Sequence, residues 1–155
     1  MRGSKKTPKR KIAPDPKFGS VKIAKFINYI MRRGKKSTAQ RVVYTTFRLI
    51  SDKTKDDPLE IFEKAVKNIS PTLEVKGRRI GGANYQIPIV VSGERRLILA
   101  YRWLIQSAKG KKGKTMAQRL AEEIMAAAKG EGNAIKKRED THRMAEANRA
   151  FAHFA

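Results

Sequence analysis

Two histidines near the C-terminus come closest to a catalytic or metal-binding set. His142 and His153 have Glu139, Asp140 and Glu146 as neighbours, and imidazole beside carboxylates is the chemistry of a metal site or a nuclease. If both histidines lie on the last helix, they share a face, but their separation in the sequence puts them about 16 Å apart along the axis. They cannot share a metal ion, so the sequence predicts no catalytic centre, no metal and no cofactor.

Positive charge dominates the composition. The 155 residues contain 36 Lys and Arg against 14 Asp and Glu, a formal charge of +22, and such an excess repels itself unless a polyanion neutralises it. The chain has no apolar stretch of about 18 residues and no signal-peptide pattern, and without cysteine it has no disulfide, zinc-thiolate or thiol chemistry. We expect a cytoplasmic protein that binds nucleic acid and no membrane, although an organelle would fit the composition equally.

The chain is long enough for one folded domain with a basic extension. Hydrophobic residues make up 40% of it, more than a disordered polyelectrolyte contains. Residues 1–19 differ, because seven basic residues accompany the single acid Asp15 and three prolines interrupt any helix. They predict an extended basic N-terminal arm ahead of a folded domain at 20–155. The alternative is a solvated, disordered tail.

Apolar residues at helical spacing predict three helices in the first half of the domain. The expected N-terminal signals are Ser20 for the first, a capping box of Ser37 and Gln40 for the second, and Asp57, Pro58 and Glu60 for the third. The expected ends of the first and third helices are Gly34 and Pro71. All three helices are amphipathic, so they pack on one core.

The hydrophobic period changes between residues 72 and 91. Apolar and polar residues alternate on both sides of Gly81 and Gly82, which predicts a β-hairpin whose turn explains the glycines. The half nearer the turn carries the basic residues Lys76, Arg78 and Arg79. With little apolar cover there, we expect this half to protrude as an arm; alternatively the hairpin packs on the helices and its charges are only solvated.

Three further helices are predicted after the hairpin. The fourth begins near Ser92 and presents the polar face Arg95, Arg102, Gln106 and Lys109. A linker of four lysines and two glycines, residues 109–114, leads to a capping box of Thr115 and Gln118 that opens the fifth helix, which Gly130 ends. The sixth begins beyond Asn133, with pairs at four-residue spacing between Glu139 and Arg143 and between His142 and Glu146.

The basic surfaces favour RNA as the partner. Basic groups contact phosphates, whereas aromatic or arginine planes stack on unpaired bases. Aromatic residues make up only 7% of the chain, and Phe26, Phe47, Phe62 and Trp103 occupy the apolar stripes of helices. We therefore expect binding through charge and shape. Composition alone leaves a DNA-architectural protein with a basic β-arm as the alternative.

Two long segments resemble one family. Residues 71–88, PTLEVKGRRIGGANYQIP, and residues 136–153, KKREDTHRMAEANRAFAH, resemble the signatures of bacterial-type small-subunit ribosomal protein number seven. PDPKF at 14–18, GKKSTA at 34–39 and RW at 102–103 extend the resemblance over the chain from about Pro14. It implies a mainly α single domain of six helices, with one protruding β-hairpin between the third and fourth.

The resemblance also implies a structural constituent of the ribosome. Such a protein binds ribosomal RNA first and nucleates assembly of the subunit head on the 3′ major domain. It lies beside the exit-site tRNA and the messenger RNA exit path, contacts ribosomal protein number eleven and is not a homo-oligomer. The expected rRNA-binding residues are Lys5, Lys6, Lys9, Arg10, Lys11, Lys17, Lys22, Lys25, Arg32, Lys35, Lys36, Lys76, Arg95, Arg96, Arg102, Lys109, Lys111, Lys112 and Lys114. The residues expected near tRNA are Arg78, Arg79, Gly81, Gly82, Asn84, Lys136, Lys137, Arg138, His142 and Arg143.

Overall fold

The structure, a computed structural model, describes residues 11–154. Its helices are α1 (Val21–Ile30), α2 (Lys36–Thr54), α3 (Pro58–Ile69), α4 (Gly93–Gly110), α5 (Met116–Ala128) and α6 (Asn133–Ala147). An antiparallel hairpin of β1 (Leu73–Ile80) and β2 (Ala83–Val90) lies between α3 and α4, and a 3₁₀ helix, Arg149–Phe154, follows α6. The prediction of a mainly helical fold with six helices and this hairpin is confirmed; the 3₁₀ helix was not predicted.

The chain forms two compact units, the first of which ends at Gln40. Ahead of α1 the side chain of Asp15 is buried, and its Oδ2 accepts hydrogen bonds from the amides of Lys17 and Phe18 at 3.1 and 3.2 Å. The only acid of the predicted arm therefore organises a turn at its end. Residues 1–10 of that arm, including Lys5, Lys6, Lys9 and Arg10, lie outside the described residues.

The boundaries of α1 and α2 differ from the predicted ones. Helix α1 ends at Ile30 rather than near Gly34, and Arg33 and Gly34 both take positive φ values, 51° and 73°, in the connection. Helix α2 begins at Lys36, so Ser37 lies inside it and the predicted capping box with Gln40 is wrong. Ser20 precedes α1 as predicted, but its side chain makes no capping hydrogen bond.

The second unit, from residue 41 onward, buries the predicted apolar stripes of the later helices. Helix α5 packs on α3 and α4, and the ring centroids of Phe47 and Phe62 lie 5.5 Å apart and those of Phe62 and Tyr101 6.1 Å apart. Each large apolar side chain buried in this way stabilises the fold by about 1.5–3 kcal/mol. Trp103 is buried as well, so the expectation that the aromatic residues serve the core is confirmed.

Two predicted helix starts are capped by the expected residue. Asp57 accepts a hydrogen bond from the amide of Leu59 at 2.9 Å, with Pro58 at the first position of α3. The predicted capping box of Asp57 and Glu60 is wrong, because Glu60 makes no return hydrogen bond to the Asp57 amide in this cap. Thr115 and Gln118 form a complete capping box at the start of α5. Such caps satisfy amides that have no partner within the helix. Because they involve only neighbouring residues, the sequence alone can predict them.

The hairpin has a two-residue turn. Gly81 and Gly82 have φ values of 56° and 91°, the conformation that a type I′ turn requires and that glycine adopts without strain. Pairing runs from Ile80 opposite Ala83 at the turn to Leu73 opposite Val90 at the base. Helix α6 contacts β1, and the 3₁₀ helix contacts β2.

Candidate nucleic-acid interface

Most of the predicted RNA-binding residues that the structure describes are exposed. Those with exposed side chains are Lys11, Lys17, Lys22, Arg32, Lys35, Lys36, Lys76, Arg78, Arg79, Arg102, Lys109, Lys112, Lys114, Lys136, Lys137 and Arg143. Lys25, Arg95, Arg96, Lys111, Arg138 and His142 are half-buried. This division matters because five of these half-buried residues, Arg95, Arg96, Lys111, Arg138 and His142, bind other groups of the protein.

The strand register gives the hairpin two different faces. Directly opposed residues of an antiparallel pair point to the same side, so Arg79 shares a face with Asn84, and Gly77 shares that face with Gln86. We call this the outer hairpin face, and all four of these residues are exposed. The side chains of Glu74, Lys76, Arg78, Tyr85 and Ile87 form the inner hairpin face.

Part of the inner hairpin face is covered by other parts of the chain, although Lys76 and Arg78 on that face are exposed. The rings of Tyr85 and Phe151 lie 5.2 Å apart between centroids, and Ile87 is buried. At the base, Glu74 Oε2 accepts hydrogen bonds from Arg95 Nε and Nη2 at 3.2 and 3.1 Å. The hairpin thus packs on the body through its inner face, while its exposed half near the turn agrees with the prediction of little apolar cover.

The linker at residues 109–114 is partly neutralised by acids of α5. Lys111 Nζ lies 2.8 Å from Glu123 Oε2, and Lys114 forms an ion pair with Glu122. The hydrogen bond from Lys114 holds the pKa of the Glu122 carboxyl below its ordinary value. Two of the four lysines therefore already have anionic partners within the chain.

Glu123 connects this linker to the start of α6. Its side chain is fully buried, and Oε1 accepts a hydrogen bond of 2.8 Å from the amide of Ala134 in the first turn of α6. A carboxylate at a helix N-terminus satisfies an unpaired amide and interacts favourably with the helix dipole. A Cβ at Gly132 would lie 3.0 Å from Oε1, and Gly132 has a φ of +98°, so glycine lets the chain pass close to this carboxylate.

Two arginines at the start of α4 hold the hairpin base. Arg95 pairs with Glu74, as described above, and Arg96 Nε donates a hydrogen bond of 3.0 Å to the carbonyl of Val91. Both were predicted to bind ribosomal RNA, and their contacts fix the hairpin to α4. Arg102 and Lys109, further along the same helix, remain on the exposed surface.

The residues of α6 also divide into structural and exposed ones. Arg138 Nη1 donates to the carbonyl of Asn68 at the C-terminal end of α3, and Asn68 Nδ2 donates to the carbonyls of Ala127 and Ala128 at 2.9 and 3.2 Å. These bonds satisfy carbonyl groups at the C-terminal ends of α3 and α5. Lys136, Lys137 and Arg143 are exposed.

His142 holds the first residue before the hairpin. Its Nε2 accepts a hydrogen bond of 3.1 Å from the amide of Thr72. Burial, with a smaller contribution from the nearby charge of Arg138, lowers the pKa of His142 below its usual value. The acceptor role requires an unprotonated Nε2, so geometry and electrostatics agree on a neutral imidazole.

Several details of the predicted α6 pairing are wrong. Arg143 pairs with Asp140 at 3.4 Å and Glu139 pairs with Arg138 at 3.5 Å, whereas the sequence predicted Glu139 with Arg143 and His142 with Glu146. His153 lies in the 3₁₀ helix, so the assumption that both histidines occupy one helix is also wrong. Within residues 11–154, no group of three or more His, Cys, Asp or Glu is placed to hold a metal ion.

Sequence reasoning missed Glu123, Asn68, Arg119 and Phe151. Arg119 Nη1 donates to the carbonyls of Lys109 and Lys111, so it braces the linker from α5. The only signal for Glu123 was an acid on the apolar side of α5, next to Leu120 and Ile124 in the helical stripe. Their partners lie outside their own elements, 8–12 residues away for Arg119 and Glu123 and 59 or more for Asn68 and Phe151, and local patterns do not reveal such contacts. In the described part of the chain, no helix has the length and apolarity needed to cross a membrane.

Comparisons with known proteins identify the family of this chain. Residues 2–149 match the family described as Ribosomal protein S7p/S5e. The chain is 58% identical over 146 residues to the small ribosomal subunit protein uS7 of Anaeromyxobacter sp. (strain K), and 59% identical over 146 residues to that of Thermotoga maritima, with 94% of each chain covered in both cases. It is 57% identical over 150 residues to that of Aromatoleum aromaticum, covering 97% of this chain and 96% of the relative. The chain belongs to the S7p/S5e family and is a ribosomal protein of the small subunit, not an enzyme.

Proposed function

We propose that this protein binds small-subunit ribosomal RNA directly and nucleates assembly of the subunit head on the 3′ major domain. In the finished subunit it lies beside the exit-site tRNA and the messenger RNA exit path and contacts ribosomal protein number eleven. It acts as a single copy in cytoplasmic ribosomes. Family membership and the exposed basic surfaces support this proposal.

The observation that carries the proposal is that basic side chains are exposed on several elements while the aromatic residues of the helical stripes are buried. Phe26, Phe47, Phe62 and Trp103 are buried, so they are not available to stack on bases. Exposed lysines and arginines occur on α1, the hairpin, α4 and α6. A surface of this kind contacts phosphates and follows the shape of a folded RNA rather than a base sequence.

The hairpin and the exposed side of α6 are the surfaces that we assign to tRNA. Residues 75–93 contain no Asp or Glu, so the hairpin turn presents basic and amide groups without local repulsion of phosphates. Lys136, Lys137 and Arg143 extend positive charge onto α6. The arm, α1 and the exposed end of α4 are the surfaces that we assign to ribosomal RNA.

A pair of variants tests the two assignments. Replacing Arg102 and Lys109 with glutamine removes charge from α4 without touching the hairpin, and it should impair incorporation of the protein into small subunits. Replacing Arg79 with glutamine should allow normal incorporation and instead lower exit-site tRNA occupancy on the resulting ribosomes. The assignments would be reversed if the hairpin variant failed to incorporate while the α4 variant assembled normally.

The contribution of the N-terminal arm to RNA binding can be tested by a deletion that leaves the Asp15 turn intact. Deleting residues 1–10 removes five basic residues, among them Lys5 and Lys9, and should weaken RNA binding with little change in melting temperature. Deleting residues 1–16 also removes Asp15 and the hydrogen bonds of its turn, and should lower the melting temperature further. Equal RNA affinity for the full chain and the shorter deletion would exclude a role for the arm.

A further inference from the structure

One face of α5 is directed at the linker between α4 and α5. Arg119, Glu122 and Glu123 share this face, because residues three and four apart in a helix lie on the same side. Arg119 Nη1 donates to the carbonyls of Lys109 and Lys111, and each of the two carboxylates pairs with a lysine of the linker. Three side chains of one helix face therefore contact a single short segment.

The backbone of the linker does little to fix its shape. Within the described part of the chain, residues 111–114 take part in no backbone–backbone hydrogen bond. Segments whose backbone groups are not bonded to each other open at a low cost in free energy. The conformation of the linker therefore depends on the side chains of α5.

Arg119 and Glu123 make the stronger of these contacts. Arg119 is half-buried, and one of the carbonyls that it bonds lies in the last turn of α4, where a cation also interacts favourably with the helix dipole. The Glu123 side chain is fully buried, so solvent screens its attraction to Lys111 only weakly. In the Glu122 pair, by contrast, the Lys114 side chain is 53% exposed, and exposed pairs contribute little. Two residues of α5 therefore provide most of the support for the linker.

Glu123 is itself held in place from the other side. Its Oε1 accepts the hydrogen bond from the amide of Ala134, while its Oε2 faces Lys111. The two oxygens of one carboxylate thus join the linker to the start of α6. A buried side chain bound at both oxygens has little freedom to follow a moving linker, so it anchors the linker to the body.

This support leaves Lys112 exposed between two paired lysines. Within residues 11–154, Lys112 forms no ion pair or hydrogen bond, whereas Lys111 and Lys114 have carboxylate partners. A basic side chain on a fixed loop loses less conformational entropy on binding than the same side chain on a mobile loop. Fixing the linker in advance therefore increases the affinity that Lys112 can contribute.

We infer that Arg119 and Glu123 are positioning residues, which hold the linker in one conformation and thereby place Lys112 for contact with a phosphate of the bound RNA. Neither residue needs to touch the RNA itself. This inference rests on the proposed function, because it concerns how a surface assigned to ribosomal RNA is kept in its binding conformation.

Arg119→Lys separates the effect of position from the effect of charge. The variant keeps the positive charge but loses the planar guanidinium that bonds two linker carbonyls. Affinity for a transcript of the 3′ major domain should fall about fivefold, the scale of ordering one side chain on binding. The slope of log affinity against log salt should stay unchanged, because no phosphate contact is removed. Arg48→Lys, the same change at an exposed position of α2, should leave the affinity unchanged.

Lys112→Gln tests whether Arg119 acts through this lysine. In a protein that already carries Lys112→Gln, adding Arg119→Lys should lower the affinity by less than about twofold, because the effects of residues that act together are not additive. Equal losses from Arg119→Lys with and without Lys112→Gln would overturn the inference, since Arg119 would then act independently of Lys112.

Glu123→Gln and Glu122→Gln form a second matched pair. Glu123→Gln keeps an oxygen for the amide of Ala134 but removes the charge that faces Lys111, and it should lower RNA affinity several-fold. Glu122→Gln should not lower the affinity, because its exposed pair contributes little to fixing the linker. Similar losses for the two variants would contradict a special role for the buried carboxylate.

Amide hydrogen exchange distinguishes positioning from a general loss of stability. In the Arg119→Lys variant, the amides of residues 111–114 should exchange faster while those of α3 keep their protection. Equal acceleration in α3 would show that Arg119 only stabilises the fold, and the inference would be wrong. If the unmodified protein bound the transcript no more tightly than duplex DNA of equal length, the proposed function itself would fail, whatever the exchange data show.

Discussion

The linker at residues 109–114 and the half of the hairpin nearest its turn are both rich in basic residues and glycine, but they use their charges differently. In the linker, Lys111 and Lys114 have carboxylate partners from α5, and Arg119 donates to its backbone. The hairpin turn has no acid in its sequence neighbourhood, and its outer face is exposed. The number of cations in a segment therefore does not give the charge available to RNA.

The strongest test of this comparison is to remove the buried carboxylate of the linker. Glu123→Ala leaves Lys111 and the amide of Ala134 without their partner, and breaking a buried pair in this way costs about 3–5 kcal/mol. We expect the free energy of unfolding, measured by urea denaturation, to fall by roughly 3 kcal/mol, toward the low end of that range because Lys111 is partly exposed.

Glu122→Ala is the matched control for that variant. Its partner Lys114 has a side chain that is 53% exposed, and exposed ion pairs contribute about 0–1 kcal/mol. The two variants remove adjacent carboxylates that each face a linker lysine. Similar losses for both would show that burial of Glu123 has no special role in holding the linker.

The second test compares the linker at residues 109–114 with the hairpin. It measures how the affinity of the protein for its RNA depends on salt concentration. Each phosphate neutralised adds about 0.7–0.9 to the slope of log affinity against log salt. Arg79→Gln should reduce that slope by about this amount, whereas Lys111→Gln should change it little because Glu123 already neutralises Lys111. A larger change for Lys111→Gln would mean that RNA displaces Glu123 from its lysine.

A smaller effect on stability is expected from the contact between the C-terminal 3₁₀ helix and the hairpin. Phe151→Ala removes the ring that lies against Tyr85, and aromatic pairs of this kind contribute about 1 kcal/mol. Amide hydrogen exchange should increase in β2 while the amides of α3 and α5 keep their protection. His153→Ala, which changes an exposed residue of the same 3₁₀ helix, is the control and should leave β2 protected.

The smallest effect is the dependence of the free energy of unfolding on pH. Because the pKa of His142 in the folded protein is below its ordinary value of 6.5, the unfolded chain takes up the proton first as pH falls. Stability from this residue is complete above pH 6.5 and declines as pH falls toward the lowered value. His142→Asn should lose this decline and His153→Asn should keep it; identical pH profiles for wild type and both variants would show that the Thr72 contact does not depend on pH.

The sequence predicted the elements well where the signals are local. Helical stripes, the capping box of Thr115 and Gln118, the start of α3 at Asp57 and the turn at Gly81 and Gly82 involve neighbours in the chain, and all are present. The failed capping box at Ser37 shows the limit of such signals. Ser37 and Gln40 have the types and spacing of a capping box, but α2 begins at Lys36, one residue before Ser37, so Ser37 lies inside the helix and does not cap it.

The roles of individual cations were less predictable. Arg95, Arg138 and His142 were assigned to RNA on the basis of residue type and resemblance, yet their partners Glu74, Asn68 and Thr72 are 21 or 70 residues away in the chain. Only the folded structure brings these groups together. For Arg79 and Lys136, where the structure leaves the side chain exposed, the original assignment to RNA stays a prediction.

The most direct test of the central claim is equilibrium binding of the full chain to a transcript of the 3′ major domain between 50 and 200 mM salt. If six to ten phosphates are contacted, affinity should fall by about three to five decades over this range for a duplex and somewhat less for single strands. At every salt concentration the transcript should bind more tightly than duplex DNA of equal length. A flat salt response, or equal affinity for the DNA, would contradict recognition of folded ribosomal RNA through charge and shape.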